Sequence, residues 1–220
     1  SRVHALNGLQ VLWLLWAVVP LHAAALMLTP KTRNLMSLLP DKNHLNGRRI
    51  VWSTANLLLW AVLAAGAGLA VFVWSLFSLW PPADRERVFA GVEPRGTEWK
   101  EVYGTDEFAD SHLYAQHVLM FALVYWLTLA AVSHIYSPDS LLQLPPLARV
   151  QWSQVALLGG ALLAQAALFA ASVAATGAGQ RLHELSVGVY LLVLLVFPAI
   201  ALPLDELVKR YERRCHRRFQ

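Results

Sequence analysis

Charge is missing from five long stretches of this chain, although its 220 residues include 18 Lys and Arg and 14 Asp and Glu. Each stretch is about 20 residues or longer, which at about 1.5 Å per residue lets a helix cross a hydrocarbon core of about 30 Å. A surface helix of a soluble domain has a polar face, and these stretches have almost none. The sequence predicts an all-α membrane protein, a bundle of five transmembrane helices at about 9–29, 50–80, 114–136, 151–175 and 186–204.

Other scarce features exclude several kinds of site. Cys215 is the one cysteine, so an internal disulfide is excluded. The sequence has no Gly-rich phosphate loop, and the acids of residues 81–113 lack EF-hand spacing, so neither a catalytic residue nor a metal site is predicted. The first methionine is Met27, and the chain opens at Ser1, which predicts a fragment of a larger protein.

The high hydrophobic content of the chain indicates that the lipid bilayer is its surroundings and partner. Hydrophobic residues make up 57% of the chain, and the mean hydropathy is +0.46. The calculated pI of about 9.5 would ordinarily suggest nucleic acid. Here the basic residues flank apolar spans, where they report orientation and contact with anionic lipid, so no nucleic-acid partner is expected.

The distribution of charge between spans predicts the orientation. Link 30–49 has five basic residues against one acid, and tail 205–220 has six against three, whereas loop 81–113 has eight acids and four bases. Because basic residues collect on the cytoplasmic side, the link and the tail are predicted in the cytoplasm and the loop on the luminal or extracellular side. The N-terminus is then outside and the C-terminus inside.

The ends and interruptions of the spans give local predictions. Pro20 should kink or open the first helix, because it lacks a backbone N–H. Small residues at Gly66, Gly68 and Gly160 are interpreted as helix-packing positions. In the tail, two acid-first i,i+4 pairs should extend the last helix into water, with the arginines beyond them against lipid headgroups. These pairs are Asp205 with Lys209 and Glu206 with Arg210.

Three segments, in order and at matching spacing, resemble the C-terminal membrane half of P-type cation ATPases, helices six to ten. They correspond to parts of the sixth helix, of the link between the eighth and ninth helices, and of the end of the tenth. Finer features, including Met36-Ser37 and Asp41-Lys42-Asn43, are similar to the transmembrane protein 94 family. The three segments are Gln10-Val11-Leu12-Trp13 with Pro20-Leu21, Ser140 to Pro146, and Leu204 to Lys209.

The resemblance implies a fold, partners and a location. The chain would be the transmembrane support and ion-path domain of a P-type ATPase-like cation transporter, for which the resemblance suggests magnesium as the cargo and the endoplasmic reticulum membrane as the location. It would pack against upstream transmembrane helices and a cytoplasmic phosphorylation domain of the same protein. The parent protein would use ATP and Mg²⁺, and this chain, which lacks the phosphorylated Asp-Lys-Thr-Gly motif, would hold neither. The residues expected at the cytoplasmic coupling or lipid-facing surface are Arg48, Arg49, Lys209, Arg210, Arg213 and Arg214.

The ligands of calcium pumps do not carry over. The aligned ligand positions are apolar here, namely Leu15, Val18, Val19 and Leu127. A dehydrated cation needs oxygen ligands, usually carboxylates, and the predicted spans contain no carboxylate. Three explanations stay open: ligands from helices outside this chain, a largely hydrated ion such as Mg²⁺ held by neutral groups, or no pumping. The ion-path candidates are His22, Asn56, Thr128 and Gln165, although hydrogen bonding between helices is the favoured interpretation of each.

Two main functions therefore remain open. The first is the support domain of a cation transporter, and the second is a pump-derived membrane scaffold or regulator without transport. The missing membrane carboxylates favour the second, whereas an intact Asp-Lys-Thr-Gly motif upstream would favour the first. An independent five-span receptor is disfavoured by the three ordered segments.

Overall fold

The computed structural model describes residues 4–28, 47–79, 106–135, 151–175 and 185–217, and these residues form helices and no strand. All five helices are long and apolar enough to cross a membrane, which confirms the five predicted spans. The last helix, α5, has three consecutive segments, Val187–Leu191, Leu192–Val196 and Phe197–Arg217. The other helices are α1 (Gly8–Met27), α2 (Gly47–Leu79), α3 (Asp106–Ile135) and α4 (Trp152–Ala175).

The start of α3 differs most from the sequence prediction. Residues 106–113, assigned to the outer loop, form the first two turns of α3. At the other end of the chain, α5 continues through the predicted tail to Arg217, so the expected helical extension is present. The rest of link 30–49 before Gly47, and loop residues 81–105, lie outside the described residues.

Each of two helices contains a π-helical turn shortly before a proline. In α1 this turn is Leu14–Val18, followed by Pro20, and in α5 it is Leu192–Val196, followed by Pro198. A proline ring collides with the carbonyl four residues earlier, and a wider turn relieves that collision while keeping most backbone groups paired in lipid. The predicted disturbance at Pro20 is therefore a π turn.

Helix α3 lies at the centre of the bundle and packs against the other four helices. Half of the residues in the apolar segment of α3 are buried inside the bundle, compared with 33% for α2, 22% for α5 and 17% for α1 and α4. Its two faces contact different pairs of helices, with α1 and α4 on one side and α2 and α5 on the other. Helix α3 is therefore the element that connects the other four helices.

Contacts along α1, α3 and α4 establish their directions. Val18 packs against Val124, and further along both helices Ala25 packs against Ala131, so α1 and α3 are parallel. The amide of Gln154, near the start of α4, donates to the carbonyl of Ala25 near the end of α1 at 3.0 Å. Helix α4 therefore runs in the opposite direction.

Helices α2 and α5 complete the alternation. Leu79, at the end of α2, accepts a hydrogen bond from Ser111 near the start of α3, so α2 is antiparallel to α3. Asp205, late in α5, contacts Ser133 near the end of α3, so these two helices are parallel. We call the end of the bundle where α1, α3 and α5 finish the tail end, and the opposite end the head end. This alternation is the one that five successive crossings require.

The predicted packing glycines behave differently from one another. A methyl group at Gly68 would come within 3.2 Å of Leu119, so this glycine does allow close approach of α2 to α3. A methyl group at Gly66 or Gly160 would meet nothing within 4 Å, so close helix contact does not explain these two. The tightest glycine, Gly188 in the first turn of α5, lies against Trp74 of α2.

We expect Gly188→Ala to destabilise the bundle. The added methyl carbon would overlap the Trp74 ring, so the ring or one of the two helices must move. Overpacking of this kind typically costs about 1–3 kcal/mol of unfolding free energy. Gly159→Ala is the matched control, because its methyl group meets nothing within 4 Å. Thermal unfolding in detergent tests both variants, and equal melting temperatures would contradict the close packing of Trp74 on Gly188.

Candidate functional site: two buried polar clusters

The tail end of the bundle contains a buried ion pair between Asp205 and Lys209, one turn apart on α5. The two residues are only 1% and 5% exposed. The Lys209 Nζ atom lies 2.6 Å from Asp205 Oδ2. This differs from the expectation that Lys209 faces lipid headgroups, because the pair points into the bundle instead of outward. The i,i+4 pairing itself is confirmed.

Ser133 of α3 and Trp60 of α2 complete the cluster around this ion pair. Lys209 Nζ donates to the carbonyl oxygen of Ser133 at 2.5 Å and to its hydroxyl at 2.6 Å. The Ser133 hydroxyl donates in turn to Asp205 Oδ2. Trp60 Nε1 donates to Asp205 Oδ1 at 3.2 Å. Thus all three Lys209 hydrogens have an acceptor, both Asp205 oxygens have a donor, and three helices are joined.

Full pairing allows these charges to be buried. Removing an ion from water costs several kcal/mol, and only close geometry with further hydrogen bonds offsets that cost. The cluster lies beside an aromatic group, in which Phe197 stacks on Trp126 with ring centroids 4.0 Å apart. Trp60 lies against the same phenylalanine at 6.2 Å. These rings exclude water from one side of the cluster and hold the indole of Trp60 in place.

The second acid-first pair lies at the edge of the bundle. Arg210 Nε is 3.5 Å from Glu206 Oε1, and the arginine side chain is 51% exposed. Arg210 therefore faces outward, and its place at the lipid headgroups stays a prediction. Helices α2 and α5 include the backbones of Arg48, Arg49, Arg213 and Arg214, but their side chains lie outside the described residues.

A second cluster joins α1 to the opposite face of α3. Thr128 of α3 and Ser133 are five residues apart, about 7.5 Å along the axis, and they face different helices. His22 Nε2 lies 2.9 Å from Thr128 Oγ1, and His22 Nδ1 lies 2.7 Å from the carbonyl oxygen of Val18. The Thr128 hydroxyl is also 2.8 Å from the carbonyl of Val124. The structure thus brings together two of the four ion-path candidates.

This cluster has three possible arrangements of protons, two with neutral His22 and one with doubly protonated His22. The carbonyls of Val18 and Val124 accept only, so the three contacts together need three donor hydrogens. A neutral imidazole and one hydroxyl supply two. With neutral His22, one of the three contacts lacks a hydrogen. If Nδ1 carries the proton, the Thr128 hydroxyl donates to Nε2 and the contact with Val124 is lost; if Nε2 carries it, Nε2–H donates to Thr128 and the contact with Val18 is lost. With doubly protonated His22, all three hydrogen bonds form. The direction of the hydroxyl therefore depends on the protonation and the tautomer of His22.

A further polar contact joins α4 to α1. Gln165 is buried, and its Oε1 accepts from Trp13 Nε1 at 3.1 Å. Because Gln165 meets Trp13, which precedes the π turn, it lies nearer the head end than His22 does. The side chain of Asn56 lies outside the described residues, so its proposed place in the ion path stays a prediction.

The four positions aligned with calcium-pump ligands are divided between the interior and the surface. Val18 is fully buried, and Leu127 packs against its cluster, so the structure brings these two together. Leu15 and Val19 are 59% and 44% exposed on the outer face of α1. Three of the four lie in or next to the π turn. Among the described residues, no group of three His, Cys, Asp or Glu is placed to hold a metal ion.

The sequence missed the tertiary partners in the tail-end cluster. Ser133 is one of several polar residues inside the spans, and Trp60 resembles any other membrane tryptophan. The one local signal is the pair Asp205 and Lys209 directly after an apolar span, where charges can point either to headgroups or into the bundle. Local spacing does not distinguish these two directions.

Comparison of the chain with protein-family models, with curated protein sequences and with solved structures finds no match in any of the three. The class of the protein consequently rests on its own helices. Five long apolar helices with buried, mutually bonded polar groups define an integral multi-pass membrane protein.

Substituting one member of the buried ion pair should lower the free energy of unfolding more than substituting both members. We expect Lys209→Met or Asp205→Leu alone to cost about 3–5 kcal/mol of unfolding free energy, because each leaves a buried charge without its partner. The double variant should recover most of that loss, since apolar residues of similar volume often replace a buried ion pair without cost. A denaturant titration of the four proteins measures the coupling energy.

The control for this cycle is Arg218→Met, which removes one positive charge from the end of the chain. We expect it to leave the unfolding free energy within about 0.5 kcal/mol of the unchanged protein. Purely additive effects of the Asp205 and Lys209 substitutions would show that the two residues do not interact.

Thr128→Val should weaken the attachment of α1 to α3. Valine keeps the shape of threonine and removes the hydroxyl that meets His22, and a hydrogen bond between membrane helices contributes about 0.6–1.7 kcal/mol. Thr128→Ser keeps the hydroxyl and is the matched control. The unfolding free energies of both variants should be measured, and a valine variant as stable as the unchanged protein would argue against the hydrogen bond.

Proposed function

We propose that this chain is the membrane support and ion-path domain of a P-type ATPase-like cation transporter, corresponding to helices six to ten. In this proposal the tail end faces the cytoplasm, since the basic link 30–49 and the basic tail adjoin it. Upstream helices and a cytoplasmic phosphorylation domain belong to the same protein. ATP and Mg²⁺ act in that phosphorylation domain. The family resemblance suggests magnesium as the cargo and the endoplasmic reticulum membrane as the location.

The π turn of α1 is the observation that carries this proposal. It lies where the resemblance places the ion ligands of the sixth helix. Interruptions of membrane helices are tolerated where they face protein or a cavity, and transporters use them at ion sites. The outer face of this turn is uncovered in the five-helix bundle, with Leu15 59% and Trp16 80% exposed. That face is available to helices from the upstream half of a transporter.

The apolar ligand positions limit how an ion could pass. A site shared with upstream helices would take its carboxylates from them, because Val18 and Leu127 offer no oxygen ligand. A hydrated Mg²⁺ would instead need neutral groups such as those of His22, Thr128 and Gln165. All three side chains are hydrogen bonded between helices, so they would have to exchange those bonds for contacts with the ion.

The second candidate function is a pump-derived scaffold or regulator without transport. Two observations favour it: the aligned ligand positions are apolar, and Asp205 and Glu206 pair with Lys209 and Arg210 on their own helix. In this role the bundle keeps the framework of a pump and binds other proteins or lipid. The two candidates differ in chemistry, since only a transporter forms an aspartyl phosphate.

Formation of a phosphoenzyme by the full-length protein separates the two candidates. The reading frame upstream of Ser1 is determined first, and the protein is then incubated with radiolabelled ATP and each candidate cation. A transporter should form an acid-stable, hydroxylamine-sensitive phosphoprotein that is lost when the aspartate of an upstream Asp-Lys-Thr-Gly motif is changed to asparagine. A replaced motif would support the scaffold, and a start codon close to Ser1 would overturn the transporter proposal.

A further inference from the structure

The tail-end ion pair is attached to the rest of the bundle by hydrogen bonds alone. Asp205 and Lys209 lie one turn apart on α5, so their charges stay paired wherever the end of this helix lies. Both residues bond to Ser133 of α3, and Trp60 of α2 donates to Asp205 at 3.2 Å. We call these four residues the latch. Moving α5 away from α2 and α3 would break the hydrogen bonds of the latch without separating opposite charges.

The latch lies close to the membrane surface. The apolar span of α5 is Val187–Arg210, and Asp205 and Lys209 both fall in its last six residues. Arg210, the next residue, is already half exposed. Water is therefore available at this level to replace the bonds to α2 and α3. The desolvation cost of a buried ion pair often cancels the attraction between its charges, so burial of this pair contributes little net stability.

The part of α5 that precedes the latch is firmly attached to α3. Trp126 Nε1 donates to the carbonyl oxygen of Val193 at 3.1 Å, inside the π turn. Phe197 stacks on the same tryptophan with ring centroids 4.0 Å apart. Val189 and Val193 are buried in the same core cluster. Any movement of the helix end therefore has to begin beyond Phe197.

Two prolines follow directly after Phe197. Pro198 and Pro203 both lie inside α5. Neither has an N–H group for the carbonyl four residues earlier, so the carbonyls of Leu194 and Ala199 lack their usual helical donor. Sharp bends of helices concentrate at prolines. Segment 198–203, which we call the hinge, is therefore where the end of α5 bends with the least loss of hydrogen bonds.

The bundle leaves space beside the hinge. An apolar groove of about 280 Å³ lies between α2 and α5, with Ile200 of the hinge and Val196 and Phe197 before it on one wall. Gly66 and Ala67 of α2 line the other wall. Ile200 is 50% exposed, so close packing does not hold this side of the hinge in place.

We propose that the end of α5 is a latched segment with a closed and an open position. In the closed position, the latch is buried as described above. In the open position, α5 bends at the hinge, Asp205 and Lys209 stay paired with each other, and water replaces Ser133 and Trp60. The basic residues that follow Lys209 move with the segment, so the latch determines whether the positively charged tail stays against the bundle. Such a latch can operate in a transporter and in a scaffold alike.

Acylation of Lys209 in the purified full-length protein measures the open position. The Lys209 side chain is only 5% exposed, so an amine-reactive ester reaches it only after opening. Labelling is followed by mass spectrometry at increasing SDS, with the rate in the fully unfolded protein as the reference. We expect Lys209 to react about tenfold or more faster than global unfolding allows, at a rate that depends little on SDS. A rate equal to the global unfolding limit, or no reaction, would overturn the proposal.

Weakening the latch should increase this labelling. Ser133→Ala removes the hydroxyl that joins both charges to α3, and we expect Lys209 to react about three- to twentyfold faster, the range that one hydrogen bond between membrane helices represents. Ser111→Ala is the matched control, because it removes another buried serine hydroxyl of α3, which donates to the carbonyl of Leu79 at the head end. Equal labelling rates in these two variants would contradict the latch.

Stiffening the hinge should have the opposite effect. Pro203→Ala restores an N–H group at an exposed position, so bending then has to break one more backbone hydrogen bond. We expect Lys209 labelling to slow about fivefold. Pro20→Ala makes the same exposed change in α1 and should leave the labelling rate as it is in the unchanged protein. No slowing in the Pro203→Ala protein, or the same slowing in both, would show that α5 does not open at this hinge.

Discussion

The requirement that polar groups in hydrocarbon find partners inside the protein underlies the whole structure. Water is absent from the bilayer core, so backbone groups pair within helices, and side chains pair with one another or with free carbonyls. His22 with Thr128, Trp13 with Gln165, and Asp205 with Lys209 are three solutions to this requirement. Each of them also joins two neighbouring turns or two helices, so satisfying polar groups and assembling the bundle are one process.

Helix α3 contributes to two of these polar clusters, through Thr128 and Ser133. Its Thr128 meets α1, and its Ser133 meets α5 a turn and a half further along on another face. The helices on either side, α1 and α5, share a π turn before a proline, at Pro20 and Pro198, close to the level where each packs on the middle of α3. A continuous central helix therefore lies between two interrupted ones.

The two π turns have different surroundings. The turn in α1 lies beside the positions aligned with ion ligands and leaves an uncovered face, which suits upstream helices of a transporter. The turn in α5 lies beside an apolar groove lined by Gly66 and Ala67. A proline in a membrane helix thus has consequences that depend on what lies opposite the widened turn.

Much of this architecture followed from sequence alone, because helices and their ends depend on local properties. The five spans, the effect of Pro20 and the i,i+4 pairing of Asp205 with Lys209 all arise from residues close together in the chain. Tertiary packing decided that Lys209 points inward to Ser133, that His22 meets Thr128, and that Gly66 lines an open groove while Gly68 packs tightly. The reason is geometric: spacing along one helix says which residues share a face, whereas only the packing of five helices determines whether that face meets lipid, an ion pair or another helix.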